Sequence, residues 1–365
     1  MKRLEPAYLF ALGHPFSPLY GGLMRLRAWS YRAGLLTSRC MPAPVISVGN
    51  LVMGGSGKTP VVQHVARLLQ AHGLKPAVIS RGYGGRATGP VNVVSDGASP
   101  LLDAAAAGDE PRLLAETLPG VPVLTGRRRH LPAAEALRMG VDALVLDDGF
   151  QHLALRRDVD LVLFNTERLG EHFRVFPGGM LREPVSALAR ATAFVLTDVR
   201  EDNRARAEAF ATRLRRDFPG RSVHFAGFAP ESLLTPQARG GVIEQPLEAV
   251  RALPGPVFAF CGIAGPQSFF RTLTALSLPL AGTLALPDHH AYTAADAPRL
   301  SRLAQEAGAA ALLTTEKDLV KLGPLAAALP LSLHALRMRV SFDADFDAEV
   351  LRAIGAAADR HYLPI

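Results

Sequence analysis

Short apolar runs rich in β-branched residues recur along the chain. Each gives way to a polar or glycine-containing turn and then to a stretch with apolar residues three and four apart. A continuous apolar run suits a strand buried on both faces, and the wider spacing suits a helix with one face on a sheet. Strands are predicted over Val45–Val48, Ala77–Ser80, Val121–Leu124, Ala143–Leu146, Asp160–Phe164, Ala193–Thr197, Ser222–Ala226, Val257–Cys261, Ala310–Thr314 and Leu331–Leu336. Helices are predicted over Pro60–His72, Leu131–Met139, Arg204–Asp217, Pro266–Leu276 and Ala295–Glu306. Strand–helix alternation of this kind predicts an α/β fold with parallel-rich sheets covered on both faces. One sheet starts at Val45 and a second near Ala193 or Val257. The stretch Phe228–Pro254, with scattered Pro and Gly, reads as connecting structure.

The first 40 residues break this rhythm. Lys2, Arg3, Arg25, Arg27, Arg32 and Arg39 face a single acid, Glu5, among many aromatic and aliphatic residues. Gly13-His14-Pro15 and Pro18 interrupt the apolar run, which is too short and too charged for a transmembrane helix of ~20 apolar residues. Glu5-Pro6 and the lack of a small-residue cleavage site also fit a signal peptide poorly. An amphipathic helix over about Leu19–Leu36 remains, with Leu19, Leu23 and Leu26 on one face, Tyr20 and Met24 half a turn aside, and Arg25 and Arg32 opposite. Such a helix either lies in a membrane interface or packs on its own domain.

The segment from Val45 to Thr59 carries the strongest chemical signal. A strand leads into Gly54, Gly55, Ser56 and Gly57, then Lys58, Thr59 and a helix from Pro60. Glycines let backbone fold around an anion. Lys58 can reach nucleotide phosphates, Thr59 can ligate Mg²⁺, and the helix N-terminus adds free N–H groups. Val52 stands where the strict G-x-x-x-x-G-K-[ST] pattern has glycine. The strand–loop–helix context nevertheless makes this a nucleotide triphosphate site. The strand Ala143–Leu146 ends in Asp147-Asp148, as a Walker B strand does, where one carboxylate can hold Mg²⁺ beside the loop. Which of the two does so is open.

Other polar clusters allow two readings each. Arg81-Gly-Tyr83-Gly-Gly-Arg86 suits a phosphate or sugar contact, or an exposed turn. Asp109 in Gly108-Asp109-Glu110-Pro111 reads as a helix N-cap, or as a catalytic carboxylate. Gln151 and His152 follow Asp148 at a sheet edge where ligands bind. Arg182-Glu183 reads as a surface ion pair, or Glu183 as part of a metal site. His289-His290 lacks zinc-site spacing.

Bulk properties narrow the field only modestly. The 365 residues are enough for two α/β domains, and 48% hydrophobic with 20% charged content is that of a folded protein. The net charge of +7 favours an anionic partner without choosing one. Cys40 and Cys261 stand alone, so neither a disulfide framework nor a zinc site is expected.

Taken in order, G-N-L-x-x-G-G-S-G-K-T-P, S-R-G-Y-G, G-D-E-P, D-D-G-F-Q-H, P-x-G-x-L-R-E-P, D-H-H-x-Y and T-x-K-D resemble the tetraacyldisaccharide 4′-kinases, the lipid A 4′-kinases of the Gram-negative inner membrane. The resemblance implies two α/β/α domains joined by a two-stranded linker, with the active site in the cleft between them. It implies phosphoryl transfer from ATP to the 4′-hydroxyl of a tetraacylated disaccharide 1-phosphate, with Mg²⁺ as cofactor. It also implies a peripheral or monotopic protein on the cytoplasmic face, held to the membrane surface by its N-terminal helix, with no nucleic acid and no obligatory protein partner. Position by position, Asp109 matches the general base and His289 its partner across the cleft. Gly54, Gly55, Ser56, Gly57, Lys58 and Thr59 match the nucleotide loop. Thr59, Asp147 and Glu183 match the metal set, while Tyr83, Asp148, Gln151 and Arg182 shape the substrate pocket. The corresponding organisation is a membrane-interface region over 1–40, a P-loop kinase domain over 41–220 and a second α/β domain over 221–365. Two rivals stand beside this. A partition-type P-loop ATPase has a similar loop but a signature lysine where this chain has Met53. A basic membrane- or nucleic-acid-binding module has only the charge in its favour, since no nucleic-acid-binding motif is present.

Overall fold

The computed structural model describes residues 6–170, 173–237 and 241–362. Lys2, Arg3 and Glu5 lie outside the described residues. The described residues form thirteen strands, twelve of them along one path. In chain order they are β1 Val45–Asn50, β2 Pro76–Ser80, β3 Asn92–Ser95, β4 Val123–Thr125, β5 Ala143–Asp147, β6 Val159–Asn165 and β7 Ala193–Thr197. There follow β8 Ser222–Pro236, β9 Val242–Pro246, β10 Val257–Cys261, β11 Leu280–Ala285, β12 Ala311–Thr315 and β13 Ser332–Phe342. Their spatial order is β11-β10-β12-β13-β8-β7-β6-β1-β5-β2-β4-β3, with β9 beside β8. Strands β1, β2, β5 and β7 are buried at every position, as their unbroken apolar runs require.

Two long strands join the two halves. The first residues of β8 continue the first sheet, parallel to β7 through Ser222–Phe225. Its later residues run antiparallel to β13, from Ala226 opposite Phe342 to Leu234 opposite Ala335. The start of β13 in turn pairs in parallel with β12. Much of the stretch read as connecting structure, Phe228–Pro254, is therefore strand. Pro236 and Pro246 close strands, and Pro230, within β8, stands opposite Met338 where the register shifts, so these prolines punctuate pairing without abolishing it. Strands β3, β9 and β11 escaped the sequence reading. The first is short, and the other two are half-buried or exposed, so they lack a continuous apolar run.

Helices cover the sheets. Helix Lys58–Ala71 buries Val61, Val62, Val65, Ala66 and Leu69 against β1 and its neighbours. The C-terminal helix Phe346–Tyr362 joins that same core through Phe346, Val350 and Ile354, although it follows the second half of the chain. A separate core fills the second half, around Phe258, Phe260, Leu300 and Leu312.

Candidate active site

The loop after β1 is built to receive an anion. Gly54 and Gly57 adopt φ of 106° and 72°, a region that strains side-chain-bearing residues. A Cβ on Gly55 would stand 2.7 Å from that of Ala264, so the second lobe packs directly on the loop. Helix Lys58–Ala71 begins at Gly57 with no side chain capping it, which leaves its first N–H groups to a ligand. Fully buried Asn50 shapes the loop from beneath: its Nδ2 donates to the Val52 carbonyl at 2.6 Å. Its own carbonyl accepts from Gln151 Nε2 at 2.8 Å. Thr197 Oγ1, at the end of β7, donates to the Ser56 carbonyl at 2.9 Å.

Two adjacent carboxylates at the end of β5 differ sharply. Asp148 has a positive φ of 53°, a strained state for this residue that its partners sustain. Its Oδ2 accepts from Arg182 at 2.7 Å, and its Oδ1 lies 3.6 Å from Lys58 Nζ. Burial pushes its carboxyl upward, yet Lys58 and Arg182 outweigh that and hold it below the usual aspartate value. Asp147 is 1% exposed. One oxygen accepts from Ser80 at 2.9 Å, and the other, Oδ1, has no hydrogen-bond partner. Burial, then Glu110 and Asp148, push its carboxyl up to about 7. A buried carboxylate with an open oxygen is poised for a cation.

Arg182 and Glu183 do not pair with one another, contrary to the surface ion pair expected. Arg182 turns to Asp148 and Gln151, and Glu183 is buried on Arg190 at 2.9 Å. Glu183 Oε1, like Asp147 Oδ1, lacks a hydrogen-bond partner. Thr59, Asp147 and Glu183 all line one cleft. Among the described residues no three His, Cys, Asp or Glu side chains form a metal cage. An open set with two unsatisfied carboxylate oxygens fits Mg²⁺, which keeps waters and substrate phosphates as ligands.

Across the cleft, Asp109 Oδ2 stands 3.3 Å from His289 Nδ1. Asp109 is the first residue of helix Asp109–Thr117, whose N-cap is Gly108, so the N-cap reading is wrong. Gly108 holds a φ of 93° there, which frees the carboxylate to face the other lobe. His289 also has a positive φ, of 57°, and its ring meets Tyr83 edge-on at 6.4 Å. His290 points elsewhere, to Asp296 at 3.2 Å. Beside the dyad, Glu110 meets Lys317 at 3.3 Å.

The sequence reading gave no site role to Asn50, Arg129, Lys317 or Arg27. Arg129 is 4% exposed, and burial lowers its guanidinium to about 10 between Asp147, Asp148 and Arg81. Asn50 stands in G-N-L-x-x-G-G-S-G-K-T-P and Lys317 in T-x-K-D, but Arg27 and Arg129 belong to no motif, and Arg129 stands in a run of three arginines.

The cleft measures about 1380 Å³, larger than a pocket for one small molecule. Tyr20, Met24 and Arg27 of the N-terminal helix Ser17–Arg32 form part of its wall. Tyr20 Oη donates to the Arg182 carbonyl at 3.2 Å, and Arg27 donates to the Gln151 carbonyl at 3.2 Å. Leu19, Leu23, Leu26 and Trp29 face outward, each more than half exposed. Tyr20 and Met24 thus belong to the inner face, and the leucine stripe stands apart from it. No helix of the described residues is long and apolar enough to cross a membrane.

Residues 9–355 match the model of the family described as tetraacyldisaccharide-1-P 4′-kinase. A tetraacyldisaccharide 4′-kinase of Desulfotalea psychrophila is 44% identical over 345 residues, covering 94% of this chain and 96% of its own. One of Syntrophus aciditrophicus is 41% identical over 344 residues, covering 92% and 91%. The crystal structure of the "apo" form of LpxK from Aquifex aeolicus in complex with ATP superposes with a TM-score of 0.74 at 31% identity, covering 93% of this chain and 98% of that one. The expected fold, two helix-covered, parallel-rich sheets with a P-loop and an N-terminal helix, is the one observed. With a P-loop, a carboxylate-ended strand and His289 lining one cleft, and relatives matched along almost the whole length, the chain belongs to the tetraacyldisaccharide-1-P 4′-kinase family.

Proposed function

We infer that the protein transfers the γ-phosphate of ATP to the 4′-hydroxyl of tetraacyldisaccharide 1-phosphate, a step of lipid A biosynthesis. One observation carries the reading: His289 lines the same cleft as the nucleotide loop, and Asp109 of the opposite lobe meets it at 3.3 Å.

Phosphoryl transfer needs alignment and charge neutralisation more than covalent chemistry. Gly54, Gly55, Ser56 and Gly57 cradle the polyphosphate, and Lys58 balances its charge. Asp109 accepts the proton of the sugar hydroxyl as that oxygen bonds to the γ-phosphorus. The bond from phosphorus to the β–γ bridging oxygen breaks, ADP departs, and the proton passes to solvent. His289 orients the Asp109 carboxylate. Thr59, Asp147 and Glu183 are the residues that would hold Mg²⁺, which neutralises charge on the transferring phosphoryl group. Asp147 Oδ1 and Asp148 Oδ1 both lack a hydrogen-bond partner, but Asp148 is ion-paired to Lys58 and Arg182, which favours Asp147 as the direct ligand. Asp148 and Gln151 then position Arg182, and with Tyr83 they shape the acceptor pocket.

The exposed leucine stripe supports a seat for Ser17–Arg32 in the membrane interface, beside the cleft that would take the lipid acceptor. This suits the cytoplasmic face of the inner membrane, where ATP is available. Residues 1–40 are then the membrane-contact region, 41–220 the nucleotide domain and 221–365 the second domain, whose last helix returns to pack on the first.

The decisive assay supplies γ-labelled ATP, Mg²⁺ and tetraacyldisaccharide 1-phosphate to the purified chain alone. Label in the lipid is the expected result. ATP hydrolysis indifferent to lipid would instead favour the partition-type ATPase.

A further inference from the structure

We propose that Arg168 contacts the polyphosphate of the bound nucleotide, as a second cation on the P-loop opposite Lys58. The inference rests on the nucleotide-binding reading above and adds a residue that the loop motif does not contain.

Lys58 occupies one flank of the loop. Its Nζ lies between Asp148, at the end of β5, and Asn50 Oδ1, 3.5 Å away. The other flank belongs to β6, which pairs with β1 on the side away from β5. The turn Thr166–Arg168 follows β6 directly. Its geometry is fixed from several directions. The Asn165 side chain accepts from the Glu167 N–H at 2.9 Å. The Glu167 carboxylate is held by Arg200, by Asn203 Nδ2 at 3.1 Å, and by Arg271 of the second lobe at 3.5 Å.

This anchoring carries the Arg168 guanidinium over Gly54. A Cβ at that glycine would collide with Nη1 and stand 3.3 Å from Cζ and 3.4 Å from Nη2. Gly54 therefore leaves room for the guanidinium as well as for its own positive φ. Arg168 lines the same cleft as Lys58. A guanidinium fork on the rim of a phosphate loop matches the paired oxygens of a phosphate. Two cations on opposite flanks also suit a triphosphate better than Lys58 alone.

The test measures binding of ATP, ADP and AMP, each with Mg²⁺, to wild type, K58A, R168A and R168K. A lost charge-assisted contact predicts a roughly tenfold or greater fall in ATP affinity for R168A. AMP, which lacks the β- and γ-phosphates, should change by less than about twofold, and R168K should recover part of the ATP loss. Unchanged ATP affinity in R168A, or equal losses for ATP and AMP, would overturn the proposal, because a purely structural arginine gives one of those results. Should K58A bind ATP as wild type does, the nucleotide reading itself fails and this inference with it. Weak ATP binding by K58A beside normal binding by R168A removes Arg168 alone.

Discussion

Asp147→Asn should make the metal-free protein more stable while abolishing its activity. The Asp147 carboxyl is raised from an ordinary 3.8 to about 7 by burial and by the neighbouring Glu110 and Asp148. A shift of about 3 units at about 1.36 kcal/mol each corresponds to roughly 4 kcal/mol of strain from the ionised form. Its sign follows from proton linkage. The folded state holds the proton more tightly than the unfolded one, so folding loses stability as pH rises from about 4 to about 7, and the loss is constant above that. An asparagine does not titrate and keeps the Ser80 donor, at 2.9 Å in the native protein. Its new Nδ2 finds no acceptor where Oδ1 had no partner, which costs about 1–3 kcal/mol at every pH. The variant should therefore gain roughly 1–3 kcal/mol at pH 8. That advantage should shrink by about 2 kcal/mol at pH 5.5, 1.5 units below the native value. Urea unfolding with a chelator present, at both pH values, measures the difference. Magnesium should stabilise wild type and leave the variant unmoved. A stability difference that is the same at pH 5.5 and pH 8 would refute the reasoning.

Other consequences concern the dyad, the membrane face and the core. Asp109→Asn should lower kcat by roughly 10²-fold or more with little change in ATP affinity, the span expected of a general base; normal turnover of the lipid acceptor would dismiss that role. Replacing Leu19, Leu23 and Leu26 together by Ser should leave the unfolding midpoint unchanged, since all three are mostly exposed. Vesicle cosedimentation should fall about tenfold or more, because each leucine is worth on the order of 1.5 kcal/mol or more when buried in lipid; undiminished binding would place the membrane contact elsewhere. Phe150→Ala should destabilise by about 3–5 kcal/mol, as the ring is fully buried and lies under Arg190. A loss below about 1 kcal/mol in chemical denaturation would show that the site collapses around the gap.

The nucleotide site was partly legible for a simple reason. Phosphate binding is a local property, made by consecutive residues whose glycines, lysine and helix start act within one turn, so Gly54 to Thr59 could be read in a line. Asp147-Asp148 was readable because it ends a fully apolar strand. Buried strands were readable because burial on both faces leaves no polar positions to confuse the pattern. Strands β9 and β11 were missed for the converse reason: they lie half-exposed at margins of the sheet.

Partnership was decided by the fold. Arg182 and Glu183 are adjacent, yet successive side chains diverge, and each found its counter-ion elsewhere: Asp148 lies 34 positions from Arg182, and Arg190 lies 7 from Glu183. His289 and His290 are equivalent in sequence, and only a positive φ at His289 turns one to Asp109 and the other to Asp296. The N-terminal helix carried a visible amphipathic pattern, but which apolar residues would meet the cleft and which would face outward depended on contacts with Arg182 and Gln151. The local chemistry of an anion-binding loop is written in contiguous residues, whereas the charge around it comes from residues up to 180 positions apart that only the β8–β13 junction brings together.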